Sequence, residues 1–174
     1  MKIKRLKNSH AAEYQNLILE GVAAHPESFR ISVVDVKADA PPFEVEQAND
    51  FTLGAFDKNE MLVGVVSFER ERREKLRHKG LIYRMYVRST EAGKGVGRKL
   101  LRAAIERARE IDGLEQINLT VVATNERAKR LYESEGFVAF SHEKQAIKIG
   151  AEYFDEETMA LHLTLAPKAE SPKP

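Results

Sequence analysis

The chain has 174 residues, 43% of them hydrophobic, which suits one compact domain with a real core rather than two. It contains no cysteine, so a disulfide framework, a thiolate metal site and a cysteine nucleophile are excluded. Lysine plus arginine (28) nearly balances aspartate plus glutamate (27), and nothing in the overall charge favours a polyanionic partner.

In chain order, Lys2 to Leu6 alternates weakly and predicts a short first strand. Asn8 or Ser9 is placed to cap a helix from about His10 to Ala24, with Tyr14, Leu17, Ile18 and Val22 at helical spacing. His25-Pro26 ends it, because a residue before proline avoids helical angles. Glu27 to Asp39 carries apolar residues without a clean period and reads as a loop, and Pro41-Pro42 opens a short second helix to about Ala48. Phe51 to Phe56 and Met61 to Phe68 predict a hairpin around the turn Asp57 to Glu60. The amino-terminal MKIKRLKNSH lacks the apolar segment of a secretory signal, and no run approaches the ~18 apolar residues a membrane span needs. A cytoplasmic protein without a membrane partner is therefore expected. Glu69 to Gly80 has six basic and three acidic residues and no aromatic to stack on a base, so it reads as a solvated hairpin tip and not as a nucleic-acid surface.

Leu81 to Val87 is an apolar run that predicts a buried strand. A polar turn, Arg88 to Ala92, leads into Gly93-Lys94-Gly95-Val96-Gly97, and a helix follows with Leu100, Leu101, Ala104, Ile105, Ala108 and Ile111 on one face. The first turn of a helix carries N–H groups without partners, and glycine lets a ligand approach the backbone closely. The helix dipole adds about half a positive charge there, so the stretch is suited to a phosphate or pyrophosphate. Two familiar glycine loops are excluded by spacing. The third glycine of the dinucleotide fingerprint would fall at Arg98, and Lys94 is followed by Gly95 instead of the Ser or Thr of a triphosphate loop.

Gly113 stops this helix, Glu115 to Ala123 alternates as a strand, and Asn125 to Glu135 is helical up to Gly136. Phe137 to Phe140 begins another strand, and Glu152 to Leu165 is the last. The tail from Pro167 is expected to be disordered, leaving residues 1–166 as one domain.

Strand, glycine loop, helix and strand are followed by Asn125-x-x-Ala128-x-x-Leu131-Tyr132-x-x-x-Gly136-Phe137. This series resembles the GNAT superfamily of acetyl-coenzyme-A-dependent N-acetyltransferases, most strongly over residues 61 to 140. The resemblance implies an α/β (α+β) fold, with a mixed, mostly antiparallel sheet flanked by helices and central strands that splay apart. It implies acetyl-CoA as cosubstrate, bound by the backbone of Met85, Tyr86 and Val87, by the loop Ala92, Gly93, Lys94, Gly95, Val96, Gly97 and Arg98, and by Asn125 and Ala128. Tyr132 would stand near the sulfur as general acid. Direct transfer to a small-molecule or peptide primary amine is implied, and by analogy a homodimer is compatible with the family.

Two positions depart from the family's pattern. Ala92 replaces the usual Arg or Gln, which weakens side-chain help to the phosphates. The strand Leu81-Ile82-Tyr83-Arg84-Met85 lacks the glutamate that serves many relatives as base. Glu69 is taken as a stand-in, with Glu71, His78, Tyr153 and Asp155 as further candidates. The amine pocket is expected to be lined by Glu27 to Asp39, the second helix and the region Lys144 to Tyr153. His10, His25, His78, His142 and His162 show no ligand spacing, so no metal is expected. Two other readings stay open: a non-catalytic acyl-CoA-binding sensor or interaction module, and an α/β nucleotide-binding domain.

Overall fold

A computed structural model describes residues 1–38, 43 and 49–163. The predicted helix from Pro41 to Ala48, apart from Phe43, and the predicted disordered tail lie outside them.

Seven strands are present: β1 (Lys2–Arg5), β2 (Phe51–Phe56), β3 (Leu62–Arg70), β4 (Lys79–Val87), β5 (Gln116–Val122), β6 (Val138–Ile149) and β7 (Glu152–His162). They form one sheet in the order β1-β2-β3-β4-β5-β7-β6. Neighbours are antiparallel except β4 and β5, which run parallel. The helices are α1 (Ala11–Ala24), α2 (Val33–Ala38), α3 (Val96–Arg109) and α4 (Glu126–Ser134).

Two cores sandwich the sheet. Tyr14, Leu17, Ile18 and Val22 of α1 and Val36 of α2 pack on Phe56, Leu62, Val65 and Tyr86. On the other face Leu100, Leu101, Ala104, Ile105 and Ala108 of α3 join Leu53, Val63, Val66, Ile117, Leu119, Tyr132 and Phe137. Coverage on both faces explains why all six residues of β2 are buried. The pair Thr52 and Ser67, buried between the layers, satisfies itself by a hydroxyl–hydroxyl bond of 2.9 Å.

Two expectations need correction. The segment read as a loop contains α2, held by a capping box: Asp35 N–H donates to Ser32 Oγ at 3.3 Å, and Ser32 N–H donates to Asp35 Oδ2 at 2.7 Å. At the start of α1 neither Asn8 nor Ser9 caps. A 3-10 turn over Asn8–His10 precedes the helix, and Lys7 N–H donates to His10 Nδ1 at 3.0 Å instead.

The feature that positions the site lies in β4. Val65 pairs with Tyr86 and Ser67 with Tyr83, so β4 carries one residue more than β3 over this interval. Arg84 sits in the bulge with φ of 49°, a left-handed angle for a residue with a side chain. On its other edge β4 pairs with β5 only from Lys79 to Leu81, opposite Gln116 to Asn118. Beyond Leu81 the two central strands separate.

Candidate active site

The opening between β4 and β5 is a cleft with two lobes. A larger one of about 620 Å³ runs from Met85, Tyr86 and Val87 along the glycine loop to α4. A second, of about 420 Å³, lies between β5 and the loop after α1, and is lined by Glu27, Ser28, Phe29 and Thr120 to Val122. The lobes share His25, Met85, Tyr86, Val87, Asn125, Arg127, Ala128 and Tyr132. Having lost β5, β4 presents backbone groups without a strand partner to this space. An extended ligand can pair with them as an added strand would.

At the far end of the larger lobe the backbone turns through Gly93 (φ 80°) and Gly95 (φ 76°) before α3 begins. Gly95 is the N-cap of α3, and no side chain caps the helix. The amides of Val96, Gly97 and Arg98 therefore face the lobe without intrahelical acceptors. A Cβ placed on Gly93 or Gly95 would meet nothing within 4 Å, so the space in front of the amides is open. Loop side chains turn elsewhere. Lys94 pairs with Glu91 at 2.9 Å and, alone among the predicted loop residues, does not line the lobe. Arg98 lines it but directs its guanidinium to Glu135 (3.3 Å) and Ser134 (3.2 Å), tying α3 to α4. What this end offers an anion is main chain and helix dipole.

The opposite wall is the start of α4. Asn125, which lines both lobes, is its N-cap: Oδ1 accepts from Ala128 N–H at 3.1 Å, which commits the carbonyl. Two turns on, Tyr132 lines both lobes with its side chain 9% exposed. Among the described residues its hydroxyl has one partner, Met85 Sδ at 3.9 Å, and a thioether is a weak acceptor. Burial pushes this phenol up to about 12. Tyr132 is thus a neutral donor held against the bulged strand, with a proton available to whatever enters.

The predicted bases are scattered. Glu69 lines a separate cavity of about 380 Å³ with Glu71, Arg72 and Arg73, and its carboxyl is pushed up by burial and then by Asp50. Asp155 is held down by Gln145 N–H (2.9 Å) and His142 (2.9 Å) within the β6–β7 hairpin. Tyr153 lies on the surface, 5.2 Å beneath Lys148 Nζ. The backbone carbonyl of His78 accepts from Glu115 and Gln116 where β4 meets β5. None of the five lines either lobe. Of the expected amine-pocket segments, Glu27 to Phe29 line the second lobe, whereas Lys144 to Tyr153 do not.

Several lining residues escaped the sequence reading, notably His25, Ser89, Glu91, Arg127 and Thr124. His25-Pro26 is legible as a helix end, but what that end faces depends on β4 and α4. Close packing sets its position. A Cβ on Gly21 would fall 2.9 Å from Tyr86 Cγ and 3.0 Å from Phe29 Cζ, so glycine lets α1 approach β4. Tyr86 in turn donates its hydroxyl to Glu20 at 3.2 Å, and Glu20 pairs with Arg88 at 3.0 Å. Nearby, Arg30 donates through Nε (2.8 Å) and Nη2 to Glu156, a carboxylate buried in β7, and so fastens the loop after α1 across the sheet.

A family model described as the acetyltransferase (GNAT) family matches residues 10–137. The mycothiol acetyltransferase of Propionibacterium freudenreichii subsp. shermanii is 45% identical over 65 residues, which are 37% of this chain and 20% of that protein. The chain thus spans about a fifth of that relative's length. Among solved structures, YncA of Salmonella typhimurium with its cofactor acetyl-CoA has a TM-score of 0.82 at 24% identity, covering 99% of this chain and 98% of that one. A GNAT-family acetyltransferase of Streptococcus pneumoniae has 0.79 at 23% identity, covering 93% and 99%. A GCN5-related N-acetyltransferase of Kribbella flavida has 0.78 at 21%, covering 93% and 97%. At these identities the likeness is one of fold.

Proposed function

Because the chain belongs to the GNAT family of acetyltransferases, we propose that it moves the acetyl group of acetyl-CoA to a primary amine by direct attack, without a covalent enzyme intermediate. The single observation that carries this is the buried hydroxyl of Tyr132, whose partner among the described residues is a sulfur, in the cleft that leads to the uncapped amides of Val96, Gly97 and Arg98. Open glycines and uncapped amides fit a diphosphate, and the unpaired edge of β4 fits the amide-bearing arm of a coenzyme.

When bound, acetyl-CoA supplies a thioester whose carbonyl carbon accepts the amine and whose sulfur leaves. The rest is work for the protein. The amides of Val96, Gly97 and Arg98 hold phosphate, helped by the α3 dipole. The free edge of β4 between Met85 and Val87 orients the arm and offers N–H groups to a carbonyl that gains negative charge. Tyr132 delivers its proton to the departing sulfur. With its phenol pushed up to about 12, the residue stays protonated at every working pH. A thiolate taken out of water beside Tyr132 is itself made more basic by desolvation, which favours the transfer.

A small-molecule or peptide amine as partner and the cytoplasm as compartment belong to the same proposal. Among the described residues no helix is long and apolar enough to cross a membrane. The test is an amine panel with acetyl-CoA, following thiol release, beside calorimetry with coenzyme A, ATP and NAD. Turnover of at least one amine and a clear preference for coenzyme A are expected. A protein that binds coenzyme A tightly and acetylates nothing would be the non-catalytic module. Equal binding of ATP or NAD would point to a nucleotide-binding domain.

A further inference from the structure

The amine must reach the thioester without its extra proton, and none of the predicted bases lines the cleft. Resting on the acetyltransferase reading above, we infer that His25 is the group that takes this proton, and that the acceptor it serves is an amine of low pKa, such as the α-amino group of an amino acid or peptide.

Of the residues shared by both lobes, His25 alone carries a side chain able to accept a proton near neutral pH. His25 lines both lobes, as do Asn125 and Tyr132 of α4. Its place is fixed by the backbone, where His25 N–H donates to Gly21 O at 2.9 Å, and by the Tyr86 ring, 6.5 Å away between centroids. The ring is exposed, so a proton it accepts can pass to solvent. Charged and titratable groups around it come from every neighbouring element: Glu20 on α1, paired with Arg88 after β4; Tyr86 on β4; Arg127 and Tyr132 on α4; and Glu27 on its own loop.

The ordinary pKa values discriminate among candidates. Proton transfer from an α-ammonium (~8) to imidazole (~6.5) is uphill by about 30-fold, whereas from a lysine-type ammonium (~10.4) it is uphill by about 10⁴-fold. Glu27 lines only the second lobe, whereas His25 lines both. The step balances simply. An N–H bond of the ammonium breaks, an N–H bond to the imidazole forms, and the freed electron pair attacks the carbonyl. The imidazole later releases this proton to water. The second proton the nitrogen sheds replaces the one Tyr132 has given to sulfur.

The test compares the parent with H25Q, H25A and E27Q. Expected for the parent is an acid limb in kcat/KM, and a preference on the order of 10²-fold for α-amines over lysine side-chain amines at pH 7. H25Q should lose the limb and about 10²-fold in rate, with coenzyme A affinity by calorimetry within about twofold. Free imidazole should partly restore H25A, which a purely structural role would not allow. In proton NMR, the His25 ring resonance, identified by its loss in H25Q, should move on adding coenzyme A. A limb that persists in H25Q, a limb abolished by E27Q, or an H25A that imidazole does not rescue overturns the inference alone. A parent that binds no coenzyme A or acetylates no amine overturns the acetyltransferase reading with it.

Discussion

Over Gly80 and Leu81, β4 is paired on both sides, with β3 and with β5; from Ile82 onward it keeps β3 and loses β5. The first part is sheet interior, with its backbone groups satisfied. The second carries a bulge, and its edge without a β5 partner faces a cleft with a phenol whose hydrogen-bond partner among the described residues is a sulfur. Buried polar groups are costly unless paired, so a strand edge that faces a cleft suits an extended ligand able to pair with it. The cavity at Glu69 makes the same contrast from the other side. It too is lined by charged residues, but Asp50 beside it is already engaged by Arg70 N–H (2.9 Å) and Arg72 (3.5 Å).

The largest effect should come from Tyr132→Phe. Removing a general acid is expected to lower kcat by about 10²–10⁴-fold, with coenzyme A affinity almost unchanged. The same variant carries a pH signature. The folded phenol is raised to about 12 above its ordinary ~10, so its contribution to stability is complete below pH ~10 and is lost as pH rises from there toward 12. Chemical denaturation across that window should show the parent losing stability that Y132F keeps. An unchanged kcat would put the acid elsewhere.

Gly95→Ala tests the anion end. A side chain at φ 76° costs roughly 1–2 kcal/mol, and turning the loop to relieve it misaligns the amides. Coenzyme A affinity measured by calorimetry should fall about tenfold. Retained affinity would mean that these amides do not hold the diphosphate.

The bulge is tested by a pair, Arg84→Val against Arg84→Gly. Both lose the arginine side chain, so the difference between them isolates the left-handed backbone. The valine variant should be less stable by about 1–2 kcal/mol, read as a Tm roughly 2–8 °C lower than that of the glycine variant. Equal Tm values would show that β4 does not need that angle to part from β5. Smallest should be Glu69→Gln, with kcat/KM within about twofold of the parent, because its cavity is not the one at Tyr132. A loss on the general-base scale of about 10²-fold would restore Glu69 as a catalytic candidate.

Much of the fold was legible because its signals are local. The stripe of α3 from Leu100 to Ala108 and the alternation of β5 require only a count along the chain. The helix α2 was missed although Ser32-x-x-Asp35 announces a capping box, because six residues are too few to establish a helical period. The coenzyme-site residues implied by the family resemblance all line the cleft except Lys94, whereas Gly136 and Phe137 of the same motif do not.

By itself, the sequence determined where the glycines interrupt the chain, which faces are apolar, and that Asn125 and Tyr132 share a helix, since propensity and periodicity act between near neighbours. Only the tertiary structure decided that β4 parts from β5 after Leu81, that Glu69 falls outside the cleft and that His25 falls inside it. Strand pairing and helix approach join residues far apart in the chain, and their geometry depends on one bulge at Arg84 and one absent side chain at Gly21.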